Sequence, residues 1–148
     1  MNPIETLERE LAHLAGRCIA DFELIADGDR IMVCASGGKD SYTLLRILER
    51  LRRAAPIGFE LIAVHLDQGH PGHDTAPLEA WLRNQGFITH ILRENTYRIV
   101  TDKVPEGKTY CALCSRLRRG ILYNAAQRLG CNKIALGHHR EDTIETLL

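Results

Sequence analysis

The 148 residues suit one domain, and 45% hydrophobic with 26% charged residues is an ordinary globular composition. Nineteen basic and nineteen acidic side chains cancel, which argues against the whole chain acting as a simple polyanion binder and leaves room for local basic patches. No apolar run approaches the roughly 20 residues of a membrane span, residues 1–10 lack a signal peptide's apolar segment, and five cysteines without such a signal point to a reducing, cytoplasmic setting.

In chain order, Ile4, Leu7, Leu11, Leu14, Ala15, Cys18, Ile19 and Phe22 recur at helical spacing. They predict an amphipathic first helix with Cys18 in the apolar interior, ended by Asp27-Gly28-Asp29. Residues 30–35 read as a buried strand carrying Ile31, Met32, Val33 and Cys34. After a Gly-containing turn come a helix over 42–55, a strand over 59–66, a helix over 77–85 stopped by Gly86, and a strand over 87–92. An exposed loop over 101–109, a helix over 112–129 stopped by Gly130, a strand over 133–136 and a helix starting at Glu141 complete the chain. Strands alternating with helices imply an α/β fold, a parallel twisted sheet with helices on both faces. The expected division is an N-terminal helix in 1–29 and a nucleotide-binding domain in 30–148. Ile144, Leu147 and Leu148 begin an apolar stripe with no cap after it, so the chain is expected to stop inside a larger domain.

Ser36-Gly37-Gly38-Lys39-Asp40-Ser41 falls where the first strand turns into a helix. Ligands of open α/β sheets bind beyond the C-terminal strand ends. Two glycines admit an anion close to the backbone, and the following helix aims its free N–H groups at it. Ser36 and Ser41 offer hydroxyls, Lys39 a charge, and Asp40 a carboxylate for Mg²⁺ or for orienting the loop. The spaced upstream glycine of a Walker loop is missing, and Gly37-Gly38 is not a dinucleotide fingerprint. The plain alternative is a Gly-Gly turn with an Asp helix cap.

Cys111 and Cys114 open the long helix three residues apart, and a helix N-terminus followed by Arg116, Arg118 and Arg119 favours thiolate. Such a pair could bind Zn²⁺ or an Fe–S centre, form a redox disulfide, carry a persulfide, or be two structural thiols. Neither should be bonded to Cys18, Cys34 or Cys131, and both should face the cavity of the phosphate loop. Cys131 sits almost five turns further on, where a structural role suits it better. Gly137-His138-His139-Arg140-Glu141-Asp142 follows the fourth strand and should lie on the same sheet edge as the loop. Asp142 there is a candidate for metal or acid–base work.

The loop at 36–41 matches the PP-loop of the ATP pyrophosphatases, which split ATP between the α- and β-phosphates, over about residues 30–148. With CALCSRLRRG at 111–120 and GHHREDTIETLL at 137–148, the chain resembles the tRNA 2-thiocytidine synthetase family and, more broadly, the tRNA-thiolating group. That resemblance implies a PP-loop, adenine-nucleotide alpha-hydrolase-like fold, incomplete at its C-terminus. It implies ATP and Mg²⁺ (at Asp40), with Ser36, Gly37, Gly38, Lys39, Asp40, Ser41 and Gly137 at the nucleotide. It implies a [4Fe–4S] cluster held by Cys111, Cys114 and a third cysteine beyond residue 148, with Asp142 and Arg118 as catalytic or ATP-site residues. The implied partners are tRNA, a cysteine desulfurase as sulfur donor and, in the assembly, a homodimer. Glu141 departs from the family's usual Asp. Two other functions stay open: another PP-loop adenylating enzyme (a tRNA uridine thiolase, a lysidine-type ligase or an amidotransferase), and a non-catalytic nucleotide- or zinc-binding fragment. The lysine-adding and amidotransferase types do not need the CxxC. The missing third cysteine favours the fragment.

Overall fold

The computed structural model describes residues 2–67, 69, 72, 74–94 and 110–137, the side chains of 110–115 excepted. Its elements are α1 (Pro3–Asp21), β1 (Arg30–Cys34), α2 (Lys39–Ala54), β2 (Glu60–Asp67), α3 (Ala76–Asn84), β3 (Ile88–Arg93), α4 (Tyr110–Arg128) and β4 (Lys133–Ala135). The expected loop at 101–109 and the helix from Glu141 lie outside the described residues. One boundary matters: α2 begins at Lys39, three residues earlier than its apolar stripe indicates, so Lys39, Asp40 and Ser41 are its first turn.

The strands form one parallel sheet in the order β3-β2-β1-β4, with Val33 opposite Ala63 on one side and Ala135 on the other. Alternation sends Ile31, Val33, Leu61 and Ala63 to one face, where Leu45 and Leu48 of α2 and Leu78 and Leu82 of α3 cover them. It sends Met32, Ile62 and Val64 to the other, against Leu122, Ala125 and Ala126 of α4. The two small alanines let α4 sit close to the sheet. Met32, Leu45, Ile62 and Leu82 are fully buried, and burying each such side chain contributes about 1.5–3 kcal/mol. The expected sheet with helices on both faces is what forms.

The first helix corrects an expectation. α1 turns toward α2 the stripe next to its apolar one: Ala12 is buried, Ile19 packs on the core, and Glu8 bonds Arg46 at 2.9 Å. Ile4, Leu7, Leu14 and Phe22 stay 56–75% exposed. Cys18 is exposed with them rather than buried. The physical reason is the Glu8 pairing and the close approach of Gly16, where a Cβ would stand 3.2 Å from Leu51. Cys34, also expected inside, is half-buried.

The edge where the strands begin is held by one carboxylate. Buried Asp29 accepts from Ala26 N (2.8 Å), Asn132 Nδ2 (2.7 Å) and Lys133 Nζ (2.6 Å). Asn132 Oδ1 accepts from Arg30 N, and Lys133 Nζ also donates to Leu24 O. The Lys133 hydrogen bond, then those from Ala26 and Asn132, lower the Asp29 carboxyl to about 2. The chain between α1 and β1 is thereby tied to the start of β4.

Candidate functional site

The opposite edge, where the strands end, carries the candidate site. β1 stops at Cys34, and Ala35 stays in the sheet by donating its N–H to Val64 O at 2.8 Å. The chain then turns through Ser36, Gly37 and Gly38, all exposed. Gly37 has φ +90°, a conformation that side chains with a Cβ rarely adopt. Ser36 Oγ accepts from Gly38 N (3.3 Å), and Ser41 Oγ donates to Gly38 O (2.9 Å). Gly38 occupies the N-cap of α2 with extended backbone and brings no side-chain cap. The positive end of α2 therefore has no capping side chain of its own, the arrangement an anion needs. The Lys39 side chain is 89% exposed, with Nζ 3.6 Å from Asp40 Oδ1.

A second segment reaches this turn. A Cβ built on Gly137 would lie 3.1 Å from Asp40 C, Asp40 O and Ser41 N. The chain leaving β4 thus rests on the backbone of α2's first turn, and only glycine fits without a shift. β1 and β4 are neighbours where the strand order doubles back, the position at which open α/β sheets bind ligands. Gly137 and the 36–41 loop are brought together as expected. His138, His139, Glu141 and Asp142 lie outside the described residues.

α4 approaches from the other face. Joining the end of β3 to the start of β4, it must begin at this edge and run back to the far one. Burial pushes the Cys34 thiol up to about 11, while the nearby Arg118 guanidinium works against the rise. Arg118 is thus on the side of α4 whose charge reaches the end of β1. Cys111 and Cys114 are in the opening turns of α4, with Cys114 one turn, about 6 Å, beyond Arg118; their side chains are outside the description. Cys18, Cys34 and Cys131 are free thiols, so no disulfide links them to the CxxC. Cys131 sits by Arg30 and Glu60, where strands begin, with burial raising its thiol pKa. It is at the wrong edge to complete a metal site with the CxxC. No cluster of three metal-ligating side chains occurs among the described residues.

His65 was not singled out by sequence. It is buried, and its Nδ1 is 2.6 Å from Ala35 O. A carbonyl only accepts, so Nδ1 carries the proton. The ring steadies the last peptide before the phosphate turn. A lone histidine in an apolar strand gives no hint of this, because Ala35 is 30 residues away.

A parallel sheet with a glycine-rich anion turn at its strand reversal defines an α/β nucleotide-binding domain. The sequence profile described as "PP-loop domain" matches residues 3–148, and the chain belongs to that family. It is 57% identical over all 148 residues to a tRNA-cytidine(32) 2-sulfurtransferase of Anaeromyxobacter sp. (strain K), covering 51% of that protein. To the protein of the same name from Vibrio cholerae it is 60% identical over 141 residues, 95% of this chain and 46% of the relative. The chain thus spans about half the length of the curated relatives it matches. Among solved structures, U34-tRNA thiolase NcsA from Methanococcus maripaludis, with its [4Fe-4S] cluster, superposes with a TM-score of 0.69 at 23% identity, over 92% of this chain and 46% of that one. That likeness is one of fold.

Proposed function

We propose that this chain is the ATP-binding portion of a tRNA-thiolating enzyme that replaces the 2-oxygen of an anticodon-loop cytidine with sulfur. The observation that carries the reading is the contact of Gly137 with Asp40 and Ser41, which joins the two nucleotide motifs at the strand reversal. The identity to cytidine sulfurtransferases over the whole chain favours cytidine over the other adenylation substrates.

A carbonyl oxygen is a poor leaving group, and adenylation turns it into AMP. The cytidine 2-oxygen attacks the α-phosphorus of ATP and pyrophosphate departs. A sulfur nucleophile then adds at carbon 2, and AMP leaves with the original oxygen. In this reading the N–H groups of Lys39 to Ser41 and the Ser36–Gly38 turn hold the pyrophosphate side. Lys39 neutralises charge, Asp40 takes the Mg²⁺ that accompanies ATP, and Arg118 with Asp142 works near the α-phosphate. Cys111 and Cys114 would give two thiolates to a [4Fe–4S] cluster, which supplies a sulfur-binding iron when present. Cys131, at the other edge, does not supply a third thiolate. The sulfur donor is a cysteine desulfurase and the setting the cytoplasm. The exposed residues Ile4, Leu7, Leu14 and Cys18, with Leu11 between them, keep the alternating three- and four-residue spacing of a two-helix seam, which is self-complementary about a two-fold axis and suits a homodimer.

The test is tRNA-dependent exchange of pyrophosphate into ATP, with calorimetric ATP binding. Lys39→Ala should abolish exchange and weaken ATP at least tenfold, since a charge-assisted hydrogen bond is worth about 1.5–3 kcal/mol. Unchanged exchange and affinity would remove the loop from the reaction.

A further inference from the structure

The arginines on the helices that cover the sheet divide into two groups. On α2 and α3 each one is neutralised: Arg46 and Arg50 by Glu8, Arg52 and Arg53 by Glu49, and Arg83 by Glu79. α4 carries Arg116, Arg118, Arg119 and Arg128 and no acidic residue at all. None of these four makes an ion pair among the described residues. In a chain of zero net charge, α4 is a helix whose only charges are positive.

Arg118 falls on the stripe of Leu122, one turn away, and its charge acts on the Cys34 thiol. Arg116 and Arg119 do not face the sheet. With Tyr123 they are spaced i, i+3, i+7, which puts them on one flank of the helix, and all three are exposed. Tyr123 is 58% exposed and forms a wall of an open groove of about 560 Å³ along β4, shared with Gln127 and Lys133. Gly120 lies beside this flank with nothing within 4 Å of where its Cβ would be. A mid-helix glycine lowers helix stability, and no packing inside the described residues requires this one. It leaves open backbone between two unneutralised guanidinium groups and an exposed aromatic ring.

We infer that this flank of α4, with Arg116, Arg119 and Tyr123, is a docking surface for the sugar–phosphate backbone of the RNA substrate. The inference rests on the tRNA reading above. Guanidinium groups match phosphate with paired donors, and an exposed tyrosine offers a stacking platform to an unpaired base. The helix begins at the edge that holds the nucleotide turn, so an RNA held here is led toward the adenylating end. A protein partner would have to be acidic along the same line, which the open backbone at Gly120 and the exposed ring do not call for.

The test is tRNA binding by fluorescence anisotropy over a range of salt concentrations, using the wild-type chain, Arg116→Ala/Arg119→Ala, Arg116→Lys/Arg119→Lys and the paired-arginine control Arg83→Ala. Each lost phosphate contact removes roughly 0.7–0.9 from the slope of log affinity against log salt. The alanine pair should therefore lower the slope by about 1.5, while the lysine pair and Arg83→Ala keep it and all variants bind ATP as the parent does. Tyr123→Ala should weaken tRNA with the slope unchanged, and Tyr123→Phe should restore it. Wild-type binding to tRNA with an alanine pair indistinguishable from the parent overturns this surface and leaves the tRNA reading intact. Displacement of tRNA by polyglutamate as effectively as by bulk RNA overturns it in favour of an acidic protein partner. Absence of any salt-dependent tRNA affinity in the wild type overturns the tRNA reading and the surface with it.

Discussion

Gly137 concentrates the account in one residue. Its neighbours are backbone atoms of α2, which cannot swing aside as a side-chain tip would, so a methyl group at 3.1 Å forces one segment to give by a few tenths of an ångström. Overpacking of this kind costs about 1–3 kcal/mol. Gly137→Ala should fold with a lowered melting temperature and bind ATP about tenfold more weakly, a loss of about 1.4 kcal/mol. Thermal melts with and without ATP check both. An unchanged affinity would mean that the contact does not shape the phosphate site. The glycine was legible in the sequence as part of a motif, but its reason was not. Nothing in Gly137-His138-His139 says that the partner is a peptide about a hundred residues earlier. The same holds for His65 and Ala35, and for Asp29 with Asn132, 103 residues apart.

At the scale of elements, the periodicities of β1, β2, β3 and α4 gave boundaries within a few residues, because each has one apolar face or is buried on both. α2 began earlier than its apolar stripe, because its first turn is made of the polar residues Lys39, Asp40 and Ser41. α1 shows the limit of periodicity. Its stripe of Ile4, Leu7, Leu11 and Leu14 was plain, yet what covers it was not, and the structure instead buries the adjoining Ala12 and packs Ile19, partly buried, on the core. If the exposed stripe pairs with a second copy, Leu7→Glu/Leu14→Glu should sediment as a monomer where the parent sediments as a dimer. ATP affinity should stay the same, since α1 is not part of the phosphate turn. A parent that is monomeric, or a double variant that stays dimeric, rules this interface out.

Over the whole molecule, the two edges of the sheet have separate tasks. The edge at Asp29 joins α1's linker, β1 and β4, and its charge makes that joint pH-dependent. A carboxyl held at about 2 in the folded chain, against an ordinary 3.8, binds its proton more readily when unfolded. Its stabilising contribution is complete above 3.8 and fades as the pH falls through about 2. Asp29→Asn should be less stable than the parent at neutral pH, and urea unfolding at a series of pH values should show the gap closing across that acid window. A gap that does not change with pH would place the effect in packing and not in charge.

In the proposed function the edge at Gly37 and Gly137 does the binding, and hydrogen exchange read by mass spectrometry tests that claim most directly. The amides of Lys39, Asp40 and Ser41 open α2 with no side-chain cap at its N-terminus, and ATP should take them up. With ATP and Mg²⁺, exchange should slow in peptides covering 36–42 and those covering 137–142, while peptides around Asp29 and Asn132 keep their rates. Protection confined to any other part of the chain, with the 36–42 peptide unchanged, would contradict the account.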